Sequence, residues 1–235
     1  MALDVYVGSL TRYYAGRWEN LGERAARERG APTSVRWAKQ PEDAKSQDRI
    51  RAKVIGWRTA LAKALGDRLA GPLDWDETED APWYTHRPGW DGFGSLVLWA
   101  AYAEHPVLTC PASLPEDWDE DPALARSNGA GFRSCYSHLV RDVELWLPAR
   151  FAFTVEGQDF EGRRVVFGSA PGLCEQLRRL NAATWQAGRK VLSGWQATAP
   201  AADWGLERRA RHAFAVLSDL SGKAVAYRLP MKLEY

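Results

Sequence analysis

The spacing of apolar residues predicts helices along much of this chain. Ile50, Val54, Trp57, Leu61 and Leu65 follow one another at intervals of four, three, four and four. That is the period of one helical face turned toward a core. A helix over 42–69 is expected, with Pro41 at its first position, Glu42 and Asp43 at its positive end, and Gly71-Pro72 as its stop. From Ser95 to Glu104 apolar residues lie on every side, which predicts a buried central helix with Ser95 near its cap and His105-Pro106 at its end. Tyr136, Leu139, Val140, Val143 and Leu147 fit a helix ending at Pro148. Leu173, Leu177 and Leu180 fit one from Pro171 to about Trp185. Leu206, Ala210, Phe214, Leu217 and Leu220 fit a last helix capped by Asp203. A short charged helix is expected over 19–29, stopped by Gly30 and Pro32.

Strand signals are fewer. Leu3 to Val7 is β-rich and ends at Gly8, so it reads as a core strand, and Val35-Arg36-Trp37 reads as a second. Phe151–Val155 and Arg164–Phe167 read as a hairpin across a glycine-containing turn at 156–162. Two long stretches, 73–94 and 107–131, carry no periodicity, and such loops are often functional. These elements predict a mainly helical α+β fold, one domain over 1–235, with a small sheet of the N-terminal strand and the 151–167 hairpin. The tetrapeptide Asp-Trp-Asp-Glu occurs at 74–77 and again at 117–120. With no third copy and helix between the two, it marks two similar acidic loops and not a propeller repeat.

Length and charge narrow the function. A chain of 235 residues buries a core without disulfides or metals. Basic residues number 31 and acidic residues 30, so no excess of positive charge points to nucleic acid. Of the basic residues 24 are Arg, a bias we assign to a GC-rich genome before any site. No apolar run reaches the roughly 18 residues of a membrane span, and residues 1–8 lack the pattern of a secretory leader. A cytoplasmic protein without membrane partners is expected. Cys110, Cys135 and Cys174 are too scattered for a disulfide framework or a zinc site. There is no P-loop, no Gly-x-Ser-x-Gly, no His-Glu-x-x-His and no Cys-x-x-Cys, so no metal and no cofactor are expected.

What remains centres on the 12 tryptophans. Trp57, Trp99, Trp146 and Trp185 fall in expected helices and are assigned to the core. Trp75, Trp83, Trp90 and Trp118 fall in the irregular stretches beside carboxylates. One loop holds Asp74, Trp75, Asp76, Glu77, Glu79 and Asp80. The other holds Glu116, Asp117, Trp118, Asp119, Glu120 and Asp121. A tryptophan within an acidic patch is the pattern of an anchor for a basic protein partner, although solvated loops with inward tryptophans have the same composition. Neither loop has the ligand order of a calcium site. An alternative site gathers Arg12, Tyr13 and Tyr14 with Trp90, Asp91, Glu104 and His105. Aromatic faces beside carboxylates suit a carbohydrate or another small polar ligand, and Asp91 with Glu104 is the candidate pair for glycoside hydrolysis. Gly89-Trp90-Asp91-Gly92-Phe93-Gly94 before a helix allows a phosphate cradle, or simply turns the chain. Cys135 and His138 have the spacing of a nucleophile and its base, and His212 reads as a surface or boundary residue.

The stretches Leu3 to Tyr14, Trp90 to Gly94, Ala100 to Pro106 and Arg228 to Lys232 together resemble a family of uncharacterised bacterial proteins over nearly the whole chain. In general character the chain is similar to the immunity proteins of bacterial toxin systems. That resemblance implies a non-enzymatic protein that neutralises a basic toxin domain through the two acidic-aromatic loops. The alternative is a binding protein or hydrolase using the Tyr/Trp/carboxylate pocket.

Overall fold

The computed structural model describes residues 3–28, 44–198 and 200–235. The strand expected at 35–37 and the helix opening at 41–43 lie outside the described residues. The strands are β1 (Asp4–Val7), β2 (Tyr84–His86), β3 (Val143–Leu147), β4 (Val155–Gln158), β5 (Arg164–Ser169) and β6 (Met231–Glu234). The helices are α1 (Leu10–Tyr14), α2 (Leu21–Glu28), α3 (Ala44–Leu65), α4 (Trp90–Glu104), α5 (Pro122–Asn128), α6 (Ser137–Val140), α7 (Ala170–Ala183), α8 (Arg189–Ala197) and α9 (Leu206–Tyr227). The fold is of the expected mainly helical α+β class.

The strands form one sheet in the order β2-β1-β6-β3-β5-β4. Neighbours are antiparallel except β3 and β5, which are parallel. Alternation along the strands gives the sheet two faces. Val5, Val7, Met231, Leu233 and Trp146 pack on one face with α4, α7 and α9. Leu145, Leu147, Val165 and Phe167 pack on the other against α1 and α3, through Leu10, Val54 and Leu65. The apolar faces read from the sequence hold. Ile50, Trp57 and Leu61 join Val54 and Leu65 on the α3 side, and Leu206, Ala210, Phe214, Leu217 and Leu220 of α9 are all buried.

Several expected elements differ. The helix expected over 136–147 is four residues of α6 followed by β3. Asp142 takes a left-handed backbone conformation (φ 49°), which ends the helix. Val143–Leu147 then lies between β6 and β5 with apolar contacts on both faces, so its run of buried residues mimics a helical stripe. The chain's end, read only as a closing segment, is β6 at the sheet's centre. The first arm of the hairpin is 155–158 and not 151–155, because Phe151 and Phe153 pack with Leu145, Leu147 and Phe167 on the α3 side before the strand begins. The α4 helix begins at Trp90, behind Gly89, so Ser95 lies one turn inside it and caps nothing. Its early start and β2 shorten the irregular stretch at 73–94, and α5 interrupts the one at 107–131. Gly205, not Asp203, precedes α9. Trp146 is fully buried, but from a strand.

Candidate functional site

The first acidic loop folds back on the protein. Glu77 is 5% exposed, and its carboxylate accepts from the backbone N–H of Leu10 (3.1 Å) and Thr11 (2.7 Å) and from the indole of Trp75. It therefore satisfies the first turn of α1, whose amides have no partner within the helix. Trp75 is buried under the guanidinium of Arg58, 4.9 Å from its ring centre. Asp74 pairs with Arg58 (2.9 Å) and Glu79 with Arg17 (2.7 Å). Asp76 caps its own turn at Thr78 (2.8 Å), and that bond holds its carboxyl below the usual range. Asp80 stays exposed. Trp75 and Glu77 are thus corrected from surface anchors to internal supports.

The second loop lies against α4 and α5. Trp118 rests on Gly94, where a Cβ would meet its ring at 2.7 Å, so the ring's position requires glycine there. Asp121 is buried, caps α5 through Ala123 N (2.8 Å) and accepts from Tyr102 (3.0 Å). Glu116, Asp117, Asp119 and Glu120 are exposed. Trp83 and Trp90 are half-buried. Through Trp118 the second loop packs on the α4, α7 and α9 side of the sheet, and through Trp75 the first loop packs on the α1 and α3 side.

The alternative pocket divides three ways. Arg12, Tyr13 and Tyr14 belong to α1. Arg12 binds the backbone oxygen of Glu79, Tyr13 donates to Glu234, and Tyr14 donates to Asp159 (3.3 Å). Burial, and then the adjoining carboxylates, push both tyrosines above the ordinary range. Asp91 and Glu104 stand at opposite ends of α4, about 20 Å apart at 1.5 Å per residue. A glycosidic pair needs roughly 5–9 Å, so these two carboxylates do not form one. Glu104 instead accepts from Ser127 (2.9 Å), Ser134 and the backbone of Cys135. His105 Nε2 lies 3.1 Å from the same Ser127 hydroxyl. Because that hydroxyl donates to Glu104, it accepts from His105, the reverse of a nucleophile–base pair. His138 is no base for Cys135 either. Its Nε2 donates to Phe151 O (3.1 Å) and its Nδ1 accepts from Ser169 N (3.3 Å).

Trp90 and Asp91 do meet a site. A cleft of about 680 Å³ opens where β2 ends and α4 begins, with the α8–α9 connection as its far wall. Gly89, at φ 71°, makes the sharp turn between the two elements. Having no side chain, it leaves the first turn of α4 without a side-chain cap. Charges on the walls are matched. Arg87 holds buried Asp4 with two bonds of 3.1 and 2.9 Å. Arg209 binds Asp91 and the backbone oxygens of Trp204 and Ala202, the last two at 2.8 Å.

Two histidines, His86 and His212, face each other here with ring centres 6.4 Å apart. His86 Nδ1 accepts from Arg87 N (2.9 Å), so its proton sits on Nε2. Burial, and then nearby His212, hold His86 below its ordinary pKa, which keeps it neutral at pH 7. His212 Nδ1 lies 3.0 Å from Trp195 O, which only accepts. Nδ1 therefore carries a proton. Among the described residues, neither Nε2 of His212 nor the indole Nε1 of Trp90 has a hydrogen-bond partner, and both atoms are closed off from solvent. Trp204 completes the wall, 6.2 Å from His212 between ring centres.

The sequence reading placed His212 at the surface or at the boundary of the core, whereas it is 4% exposed. The signal was present, since His212 stands four and eight positions before the buried residues Val216 and Leu220. No local signal marked His86. Among the described residues, no three His, Cys, Asp or Glu side chains converge as a metal site, and no helix is long and apolar enough to cross a membrane. Comparison with family models, with characterised proteins and with solved structures returns no match.

Proposed function

We propose that this chain is a binding protein for a small polar molecule, held in the cleft at the start of α4. The observation that carries this reading is the cleft itself, about 680 Å³ and lined by the rings of His86, Trp90, Trp204 and His212 beside Arg87, Asp91 and Arg209. The volume lies within the roughly 300–1,000 Å³ of small-molecule sites. Trp90→Ala removes an aromatic wall of the cleft. In calorimetric titrations with a metabolite panel that includes nucleobases, sugars and amino acids, the bound compound is expected to lose about tenfold in affinity in this variant. Equal affinity in variant and wild type, or no binding from the whole panel, would overturn the reading.

A second reading keeps a protein partner. Glu116, Asp117, Asp119 and Glu120 are exposed, with no ion pair among the described residues. They could steer a basic partner such as a toxin domain toward Trp118. Changing these four to Asn or Gln is expected to reduce recovery of a host partner from low-salt lysate several-fold. Unchanged recovery of that partner removes this reading.

A further inference from the structure

We infer that a second cleft, between α7, α8 and α9, takes a small apolar molecule carrying one carboxylate. It is separate from the cleft at the start of α4 and does not depend on what that cleft holds. The space is about 450 Å³, within the range of small-molecule sites. It arises because α9 packs along both α7 and α8, whereas those two meet little beyond the turn that joins them. Each helix contributes apolar lining: Leu177 from α7, Leu192 from α8, and Phe214 with Ala215 from α9. The turn between α7 and α8 is fixed by Asn181, whose side chain donates to Ala187 O (3.0 Å) and accepts from Ala187 N (2.9 Å). The walls are therefore set before a ligand arrives, which lowers the cost of binding.

Charge identifies the ligand's other end. Among the described residues, the one carboxylate on the lining is Asp219, and it is engaged by Lys223 (2.7 Å) and Gln196 (3.3 Å). Arg178 and Arg189 are exposed on the same lining. Among the described residues, neither guanidinium has an ion pair, a hydrogen bond or a ring partner. Arg178 lies in the last two turns of α7 and Arg189 opens α8, so they flank the turn that joins the helices. A guanidinium pairs with a carboxylate through two parallel hydrogen bonds. Gly188 gives α8 no side-chain cap, so the positive end of that helix adds to the preference for an anion beside Arg189. The apolar lining disfavours a sugar or a free phosphate, whose polar groups would lose water against Leu177, Leu192 and Phe214. An apolar chain or ring with a carboxylate at one end satisfies both parts of the site.

The test is calorimetry at pH 7.5 with octanoate, hexanoate, octanol and inorganic phosphate, on the wild type and on Arg178→Gln/Arg189→Gln. Both arginines are exposed, so the double variant is expected to fold as the wild type does. Octanoate is expected to bind, and hexanoate to bind more weakly by about fourfold for each CH2 removed. Octanol is expected to bind at least tenfold more weakly than octanoate, and the double variant to lose at least tenfold for octanoate alone. Octanoate that fails to bind, that binds no better than octanol or phosphate, or that binds the double variant equally well, would overturn the inference. Amide 1H–15N spectra locate the ligand without a variant. Octanoate is expected to shift Leu177, Leu192 and Ser193, which line this cleft, and to leave His86 and Trp90 unmoved. Shifts at His86 and Trp90 instead would overturn this inference and leave the reading of the α4 cleft standing.

Discussion

Lowering the pH from 7 to 5 is expected to cost the fold about 2 kcal/mol through His138 alone, and about 3 kcal/mol by pH 4. His138 is 1% exposed, between Phe151 O and Ser169 N, with Gly172 against its ring. A Cβ on Gly172 would come within 2.4 Å of the imidazole, so there is no room for water beside it. Burial pulls the ring's pKa down to about 4. In the unfolded chain the same ring takes up its proton near 6.5. Between these values the unfolded state binds the proton and the folded state does not. Stability is therefore fully present above about pH 6.5 and is lost as the pH falls toward 4. His86, also held below its ordinary range, adds in the same direction. His138→Gln separates the two, since an amide can donate to Phe151 O and accept from Ser169 N without titrating. Urea unfolding at pH 7 and pH 5 is expected to show a loss about 2 kcal/mol smaller in the variant. Equal losses in both proteins would mean that His138 does not stay neutral in the fold.

Glu77→Ala is expected to destabilise the protein by about 3 kcal/mol, although Glu77 belongs to what reads as a solvated acidic loop. Its carboxylate is the acceptor for Leu10 N, Thr11 N and the Trp75 indole. Removing it strands three donors in a place water does not reach, at about 1–3 kcal/mol each before relaxation. The α1 helix has only five residues and depends on that support, with Ser9 Oγ capping Arg12 N at 3.3 Å as its other N-terminal acceptor. Asp80→Ala, an exposed neighbour in the same loop, is the control and is expected to change stability by less than about 0.5 kcal/mol. Chemical denaturation of the two variants decides the matter. Equal effects would return Glu77 to the surface and restore the first loop as a binding patch.

These two residues show how far the sequence could be read. Nothing in the residues next to His138 or Glu77 in the chain reveals that one is sealed under Gly172 and the other under α1. The helical faces of α3, α7 and α9 were legible because a repeat of 3.6 needs only near neighbours to show it. The segments β3 and β6 were not. A strand between two others is apolar on both sides and loses the alternation that would distinguish it from a buried helix. The cleft was half legible. Trp90 and Asp91 stood out beside glycines, and His212 shared a stripe with Val216 and Leu220, but nothing joined them.

By itself, then, the sequence determined the fold class, the inward faces of the long helices, the opening strand and the unusual turn at Gly89. Each of these follows from residues within a few positions of one another. The tertiary structure alone decided the sheet order, the burial of Trp75 and Glu77, the separation of Asp91 from Glu104, and the meeting of His86 with His212. Those depend on contacts between residues far apart in the chain. Whether a polar atom is satisfied or left without a partner is a property of the neighbours that folding brings to it.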